Sequence, residues 1–172
     1  MKVTVELVEQ SMVKANDILK SVYPSYVEPS ITKIEVRNAE SYWGMVCPSK
    51  HWMRISRSFE RIADDYVAKT ALEGTVIHEL IHTIPGCFNH GSKFKIIANR
   101  VNEKYPQYDI KTSTKASEYG LPEIAVRGDK YEITCPKCGM ITHYKRTPKY
   151  PISDYRCSHC GSGELVMKRI AP

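Results

Sequence analysis

The stretch that decides the fold spans residues 75–94, TVIHELIHTIPGCFNHGSKF, and contains three of the chain's six histidines. His78 and His82 are four residues apart, so on an α-helix they project from one face and can bind one metal ion. Glu79 is rotated about 100° around the helix axis from His78. Its carboxylate would therefore stand beside such an ion and accept a proton from water. The alternative is a buried helix whose histidines hydrogen-bond to backbone carbonyls.

A third metal ligand is needed, because a catalytic zinc usually has three protein ligands and one open position. His90 lies eight residues after His82, beyond the turn expected at Pro85 and Gly86, and can fold back towards the helix. Glu103, on the next predicted helix, is the other candidate. The position of His90 directly before the start of that helix favours His90.

Two further residues near this stretch have more than one reading. Cys87 lies between two candidate ligands, and we expect a small buried thiol; the alternative is a thiolate that blocks the zinc. His51 adjoins a predicted strand, and we expect it at the surface or in the core; the alternative is that it lines the cleft.

Hydrophobic periodicity predicts an α+β fold for the first part of the chain. Apolar spacing predicts three helices, over residues 5–22, 63–83 and 93–105. Ser92 is the predicted N-cap of the last one. Runs rich in β-branched and aromatic residues predict three strands, over residues 31–38, 42–47 and 52–56. We expect these strands to form a small, mostly antiparallel sheet.

The rest of the chain predicts a linker and a second, smaller domain. Residues 112–129 have weak periodicity and read as the linker between a domain at 1–111 and a domain at 130–172. The second domain contains two C-x2-C pairs that are 18 residues apart, Cys135 with Cys138 and Cys157 with Cys160. Such spacing predicts a structural zinc held by four thiolates in a small β zinc ribbon. Its expected strands cover residues 131–134, 141–144, 154–156 and 164–168.

Positive charge is concentrated in the predicted ribbon. Residues 130–172 carry 8 Lys and Arg against 3 Asp and Glu, whereas residues 1–111 carry 15 against 13. Between the cysteine pairs, tyrosines alternate with cations, so bases can stack while phosphates are neutralised. The candidate nucleic-acid-binding residues are Tyr144, Lys145, Arg146, Lys149, Tyr150 and Arg156. They favour single-stranded or distorted DNA; the alternative is a solvated basic hairpin.

Sequence composition also predicts where the protein works. The chain has no apolar run of about 18 residues, so no membrane span is expected, and its N-terminus lacks the apolar block of a secretory signal. Paired cysteines at metal-binding spacing fit a reducing compartment. We therefore expect a cytoplasmic, DNA-associated protein, nuclear if its source is eukaryotic, with no membrane partner.

The segments HELIH, HGSKF and CPKC…CSHC together resemble the SprT-like, Spartan-related zinc metalloprotease family, whose members often carry a C-terminal zinc ribbon. The resemblance implies a zincin-like minimal metalloprotease domain with one catalytic and one structural Zn2+. It also implies that His78, His82 and His90 hold the catalytic zinc, that Glu79 is the catalytic base, and that the substrates are proteins bound or crosslinked to DNA. The segment YWGMVC resembles one found in a related group of small zinc peptidases.

The leading hypothesis is thus a DNA-associated zinc endopeptidase. An extended substrate is expected to pair with the strand at residues 53–56. Four tyrosines are candidates for stabilising the oxyanion: Tyr42, Tyr66, Tyr105 and Tyr108. The alternatives are a non-proteolytic DNA-binding adaptor and a zinc peptidase whose ribbon contacts protein partners. Retention of Glu79 argues against the adaptor.

Overall fold

The computed structural model describes residues 1–122 and 130–170, which belong to two compact units, each with its own sheet. The class is α+β. The end of the predicted linker, residues 123–129, lies outside the described residues. None of the helices in the described parts combines the length and the apolar character that crossing a bilayer requires.

Three α-helices form in the first unit where hydrophobic spacing predicts them: α1 (Val5–Val22), α2 (Asp65–His82) and α3 (Ser92–Lys104). The side chains of Thr4 and Asp64 cap α1 and α2 by accepting hydrogen bonds from backbone N–H groups of their first turns. The predicted N-cap of α3 is wrong by one position. Gly91 is the N-cap, and Ser92 is the first helical residue.

Helix α2 is the centre of the first unit. It packs against α1, α3 and the sheet, and its buried residues lie on most of its circumference. A helix that is apolar nearly all round belongs inside a fold. This burial fixes the orientation of the last turn, which carries His78, Glu79 and His82.

The sheet of the first unit has strand order β1-β3-β2, with β1 at Lys33–Arg37, β2 at Gly44–Cys47 and β3 at Trp52–Ser56. The pair β2–β3 is antiparallel, as expected for strands joined by a short turn. The pair β1–β3 is parallel, so the expectation of a mostly antiparallel sheet is wrong for this pair. Alternation identifies strands, but it carries no information about which edge of β3 accepts β1.

The expected linker is also corrected at its start. Residues 110–121 fold back onto the first unit, where Tyr119 and Leu121 pack against the hydrophobic core. The Trp43 indole N–H donates to the carbonyl of Thr114 at 3.3 Å. Polar composition predicted a linker, but a few anchoring contacts are enough to hold a polar segment in place.

The second unit is an antiparallel sheet with strand order β5-β4-β6. Its strands are β4 (Tyr131–Thr134), β5 (Ile141–Tyr144) and β6 (Val166–Arg169). The strand predicted at residues 154–156 does not form; a 3-10 turn occupies Ile152–Asp154 instead. Both edges of β4 are already paired, one with β5 and one with β6. Pro151 starts a turn in which the Asp154 N–H donates to the Pro151 carbonyl.

Candidate functional site

The imidazole Nε2 atoms of three histidines converge on one point in the first unit. The distances are 3.1 Å between His82 and His78, 3.1 Å between His82 and His90, and 3.0 Å between His90 and His78. His78 and His82 stand one turn apart on α2, and His90 returns to them beyond the turn at Gly86. Glu103, the other candidate ligand, is not part of this group.

These three nitrogens fit a small divalent metal such as zinc. Zinc–nitrogen bonds of about 2.0–2.1 Å in a tetrahedral site place the ligand nitrogens roughly 3.3–3.4 Å apart, close to the observed separations. Burial lowers the pKa of His78 to about 4, and the neighbouring His82 and His90 add to the effect. Burial also lowers the pKa of His90. Both rings are therefore neutral at pH 7 and keep a lone pair for a metal.

A hydrogen bond fixes the tautomer of His82. Its Nδ1 lies 2.7 Å from the carbonyl oxygen of Cys87, so Nδ1 carries the proton and Nε2 presents its lone pair. The Cys87 side chain is fully buried, and burial raises the pKa of its thiol against the opposing effect of Lys93. The structure therefore agrees with the expected small buried thiol.

Phe94 lies beneath the three histidines. Its ring centroid is 4.8 Å from each of the His78, His82 and His90 centroids, and its side chain is fully buried. The ring is stacked on His82 and meets the other two at steep angles, so it restricts the tilt of all three. Helical spacing predicts Phe94 only as a residue of α3; its position four residues after His90 is the signal that could have linked it to the site.

Glu79 is buried next to this cluster. Its side chain is 7% exposed, and burial raises the pKa of its carboxyl to about 7, opposed by a hydrogen bond from the backbone of Val46. A Cβ added at Gly44 would lie 3.0 Å from the Glu79 Cγ atom and 2.6 Å from the Thr75 Cγ2 atom. Gly44 therefore allows strand β2 to approach α2 closely enough for its backbone to reach Glu79.

Strand β2, and not β3, is an edge strand of this sheet in the described part of the chain, and it lies beside Glu79. Because β3 is paired on both sides, the predicted pairing of an extended substrate with residues 53–56 is wrong. The Trp43 carbonyl accepts from Ser56 N–H on β3. Alternation along an antiparallel strand then directs the backbone groups of Gly44 and Val46 away from β3.

A cavity of about 160 Å3 opens beside the cluster. Its lining includes His78 and Glu79 together with Trp43, Tyr108 and Tyr119. Trp43 and Tyr119 were not predicted as site residues. Trp43 lies in the segment YWGMVC, whose resemblance assigns it no role in a pocket, and Tyr119 lies in the predicted linker. The contact between them joins residues far apart in the chain.

Among the four tyrosines proposed for the oxyanion, only Tyr108 lines this cavity in the described residues. Its hydroxyl donates to the Glu73 carboxylate at 3.0 Å, and the Tyr105 hydroxyl lies 3.1 Å from Ser21 Oγ. Tyr66 is 73% exposed at the start of α2, and Tyr42 is absent from the cavity lining. The His51 ring, which is also absent from it, bonds to the Ser30 carbonyl at 2.7 Å.

The second unit brings its four cysteines together. The Sγ atoms of Cys135 and Cys160 are 3.6 Å apart, and those of Cys138 and Cys157 are 3.5 Å apart. Tetrahedral zinc with sulfur bonds of about 2.3 Å needs separations of roughly 3.8 Å, so this group could hold a metal ion such as zinc.

The two cysteine pairs have the same backbone geometry. Gly139 and Gly161 adopt φ of 72° and 73°, and each N–H donates to the carbonyl of the first cysteine of its pair at 2.8 Å. Positive φ favours glycine at these turns. Backbone N–H groups of Cys160 and then His159 stabilise the Cys157 thiolate and lower its pKa to about 6.

The candidate nucleic-acid-binding residues fall into two groups. Tyr144, Lys145, Arg146 and Arg156 line a concavity of about 450 Å3 in the second unit, together with apolar side chains such as Ile133, Met140 and Leu165. Lys149 and Tyr150 do not line it; the Lys149 ammonium lies 5.3 Å from the Tyr150 ring centroid.

Comparison with known proteins gives no relative for this chain: no family model, no curated protein and no solved structure matches it.

Proposed function

We propose that the protein is a zinc-dependent endopeptidase that acts on DNA-associated proteins, with a zincin-like first unit and a ribbon that holds DNA. The observation that carries the proposal is the convergence of three histidine nitrogens at 3.0–3.1 Å beside a buried carboxylate, Glu79, that shares a cavity with His78. The resemblance of HELIH and HGSKF to SprT-like proteases supports the same reaction class.

In this proposal, His78, His82 and His90 hold the zinc. When bound, zinc polarises the scissile carbonyl and lowers the pKa of water towards neutrality. Glu79 accepts the proton of the attacking water and delivers it to the leaving amine. Burial keeps the Glu79 carboxylate poorly solvated and therefore basic. The Cys87 carbonyl holds the His82 ring in the ligating tautomer.

The open edge of β2 supplies a place for an extended substrate. Backbone pairing selects conformation and not side-chain identity, so the substrate adds as a strand with little sequence preference along that edge. The hydrogen bond between Val46 and Glu79 links the edge to the catalytic base. A scissile bond carried along β2 would therefore pass the zinc ligands.

The DNA part of the proposal is supported by the ribbon. Lys145, Arg146 and Arg156 border a concavity with an apolar floor, which suits phosphates at the rim and unstacked bases inside. Tyr144 and Tyr150 are 45% and 58% exposed and therefore available for stacking.

The test of proteolysis compares the zinc-loaded wild type with Glu79→Gln on a protein crosslinked to single-stranded DNA and on the same protein without DNA. Loss of the base is expected to lower the cleavage rate by about 10²–10⁴-fold at unchanged zinc content. If Glu79→Gln cleaves as fast as the wild type, the catalytic assignment is wrong. If DNA does not change the rate, the hydrolase remains and the DNA-directed role falls.

The DNA role has its own test in the salt dependence of binding. Arg146→Gln is expected to remove one phosphate contact and therefore to lower the magnitude of the slope of log K against log salt by about one. Lys137→Gln, also in the ribbon but outside the concavity, is the control and should leave the slope unchanged. Binding that is insensitive to salt would favour a ribbon that contacts proteins.

A further inference from the structure

We propose that the cavity beside His78 and Glu79 is a specificity pocket for one neutral, medium-sized side chain of the substrate protein. The choice of ligand rests on the proposed function. One wall of the pocket consists of residues 108–119, here called the wall segment, which polar composition predicts to be mostly linker. Three sets of contacts build this wall.

The first contacts attach the start of the wall segment to α2. The Tyr108 hydroxyl donates to Glu73 Oε2 at 3.0 Å, and Lys14 Nζ reaches the same oxygen at 2.8 Å. Glu73 is 7% exposed, so this carboxylate is a buried anchor that binds two side chains through one oxygen. A Cβ added at Gly74 would stand 3.2 Å from the Tyr108 carbonyl, which shows how closely helix and segment approach.

The second contacts hold the segment to α3. Asn102 forms a two-way bridge with Ile110: its Nδ2 donates to the Ile110 carbonyl at 3.0 Å, and its Oδ1 accepts from the Ile110 N–H at 2.6 Å. A side-chain amide that satisfies both backbone groups of one residue fixes both position and orientation.

The third contacts hold the segment to Trp43, the residue directly before β2. The Trp43 indole donates to the Thr114 carbonyl at 3.3 Å, and Tyr119 meets the Trp43 ring edge-on at a centroid distance of 5.3 Å. The cavity is thereby bordered by α2, β2 and the wall segment, and it stays open to solvent on its remaining side. A loose linker would not be held at three points.

The size of the pocket limits its occupant. A cavity of about 150 Å3 is enough to bind benzene, and this pocket measures about 160 Å3. Small residues of α2, namely Ala71, Gly74 and Thr75, leave the space, and aromatic rings of Trp43 and Tyr119 border it. One Phe, Leu or Met side chain therefore fits.

The charges near the pocket favour a neutral occupant. Lys111 Nζ pairs with Asp109 Oδ2 at 2.7 Å and with Glu118 Oε2 at 2.8 Å, so the only cation of this group is already paired and an anionic side chain finds no partner in it. The group keeps a net charge of −1, but its two carboxylates are 64% and 36% exposed, so water screens their attraction for a cationic side chain. Glu79 lies at the end where the zinc ligands stand and is committed to proton transfer. A charged side chain would lose its hydration in the pocket without gaining a free partner.

The test uses the two tryptophans as reporters, because Trp43 lines the pocket and Trp52 does not. The full chain is labelled with 5-fluorotryptophan, its two 19F resonances are assigned with Trp52→Phe, and it is titrated with N-acetyl amides of Phe, Leu, Gly and Lys. We expect the Trp43 signal to shift saturably with the Phe and Leu amides, at least about 10-fold tighter than with Gly or Lys. The Trp52 signal should not move.

Filling the pocket should abolish the response. Ala71→Leu fills it from α2, and Lys69→Leu places the same side chain two residues away, on the exposed face, as the matched control. If Ala71→Leu does not fold, Thr112→Phe fills the pocket from an exposed position of the wall segment. Lys69→Leu should keep the wild-type titration.

The outcomes separate this inference from the proposed function. The pocket assignment is overturned if the Trp43 signal does not shift with any of the four amides. It is also overturned if the Gly and Lys amides bind as tightly as the Phe and Leu amides, even if the protein cleaves proteins. If the signal responds as expected but no substrate is cleaved, the pocket stands and the endopeptidase proposal falls.

Discussion

The two candidate metal-binding groups differ in how completely their side chains surround one point. In the first unit, three nitrogens from α2 and the turn after it converge beside a carboxylate and a cavity. In the second unit, four sulfurs from two matching turns converge with no carboxylate in the group. Three ligands leave a coordination position for a substrate, and four thiolates leave none. Under the proposed function, the three-histidine group is therefore suited to chemistry and the four-cysteine group to stabilising the fold.

The units also differ in what holds them together. The first has a core of large apolar side chains with no exposure, among them Phe59, Leu72 and Phe94. In the described part of the second unit, the only buried residues are Cys135 and Cys157. Domains of about 40 residues usually need metals or disulfides to fold. The metal should therefore stabilise the second unit far more than the first.

The largest expected effect follows from this difference. Cys157→Ser should unfold the ribbon, because binding of structural zinc supplies about 10–16 kcal/mol in small zinc domains. His90→Ala should remove one zinc and leave the first unit folded on its apolar core. Zinc analysis with 1H–15N NMR spectra measures both effects. Collapse of the first unit in His90→Ala would break the comparison.

A smaller effect is expected from the floor of the open site. Phe94→Leu frees the three imidazoles to tilt, so zinc affinity there should fall by about 10–100-fold, as for other residues that orient ligands, while ribbon zinc is unaffected. The measurement is competition with a chelator. Phe59→Leu, another fully buried Phe that has no ring contact with the histidines, is the matched control. If both variants lose the same zinc affinity, Phe94 acts only as a core residue and does not orient the histidines.

How far the sequence could predict the molecule depends on whether the signal is local. Helix spacing, the paired histidines and the two cysteine turns each lie within a few residues, and the three helices and both ligand groups appear where the sequence predicts them. Strand partners are not local, so the parallel pairing of β1 with β3 was missed. The walls of the pocket were missed for the same reason.

The predicted linker shows the limit most clearly. Residues 112–119 have the composition of a linker, and their place in the fold depends on Trp43, some 70 residues earlier in the chain. Gly44 is a similar case. A side chain at position 44 is excluded only because β2 lies close to α2 in the fold. A single glycine in a strand pattern therefore does not predict the contact with Glu79.

Gly44 provides the next prediction. Gly44→Ala introduces a methyl 2.6 Å from Thr75 Cγ2, and overpacking of this kind typically costs about 1–3 kcal/mol. We expect a lower free energy of unfolding of the first unit in urea, with the ribbon unchanged. Gly44→Ala combined with Thr75→Ser, which removes Cγ2, should recover part of the loss. Without recovery, the contact with Thr75 is not the cause.

The smallest effect concerns an ion cluster in the first unit, in which the Glu35 carboxylate pairs with Lys33, Arg37 and Arg54. Hydrogen bonds from Lys33 and then Arg54 lower the pKa of Glu35 to about 2. A carboxyl with a depressed pKa stabilises the fold above its unfolded pKa, near 4.5, and the contribution disappears as pH falls towards 2. The difference in unfolding free energy between wild type and Glu35→Gln should therefore shrink from pH 6 to pH 3. A constant difference would exclude the ion cluster as its source.

The most direct test of the central claim, that the first site is open and the second closed, is the visible absorption spectrum of the cobalt-substituted protein during titration with acetohydroxamate. We expect the d–d bands of the three-histidine site to change with saturation, because an added ligand takes its open position. The thiolate-to-cobalt charge-transfer bands of the four-cysteine site should stay constant. A three-histidine site that does not respond, or a four-cysteine site that does, would contradict the account.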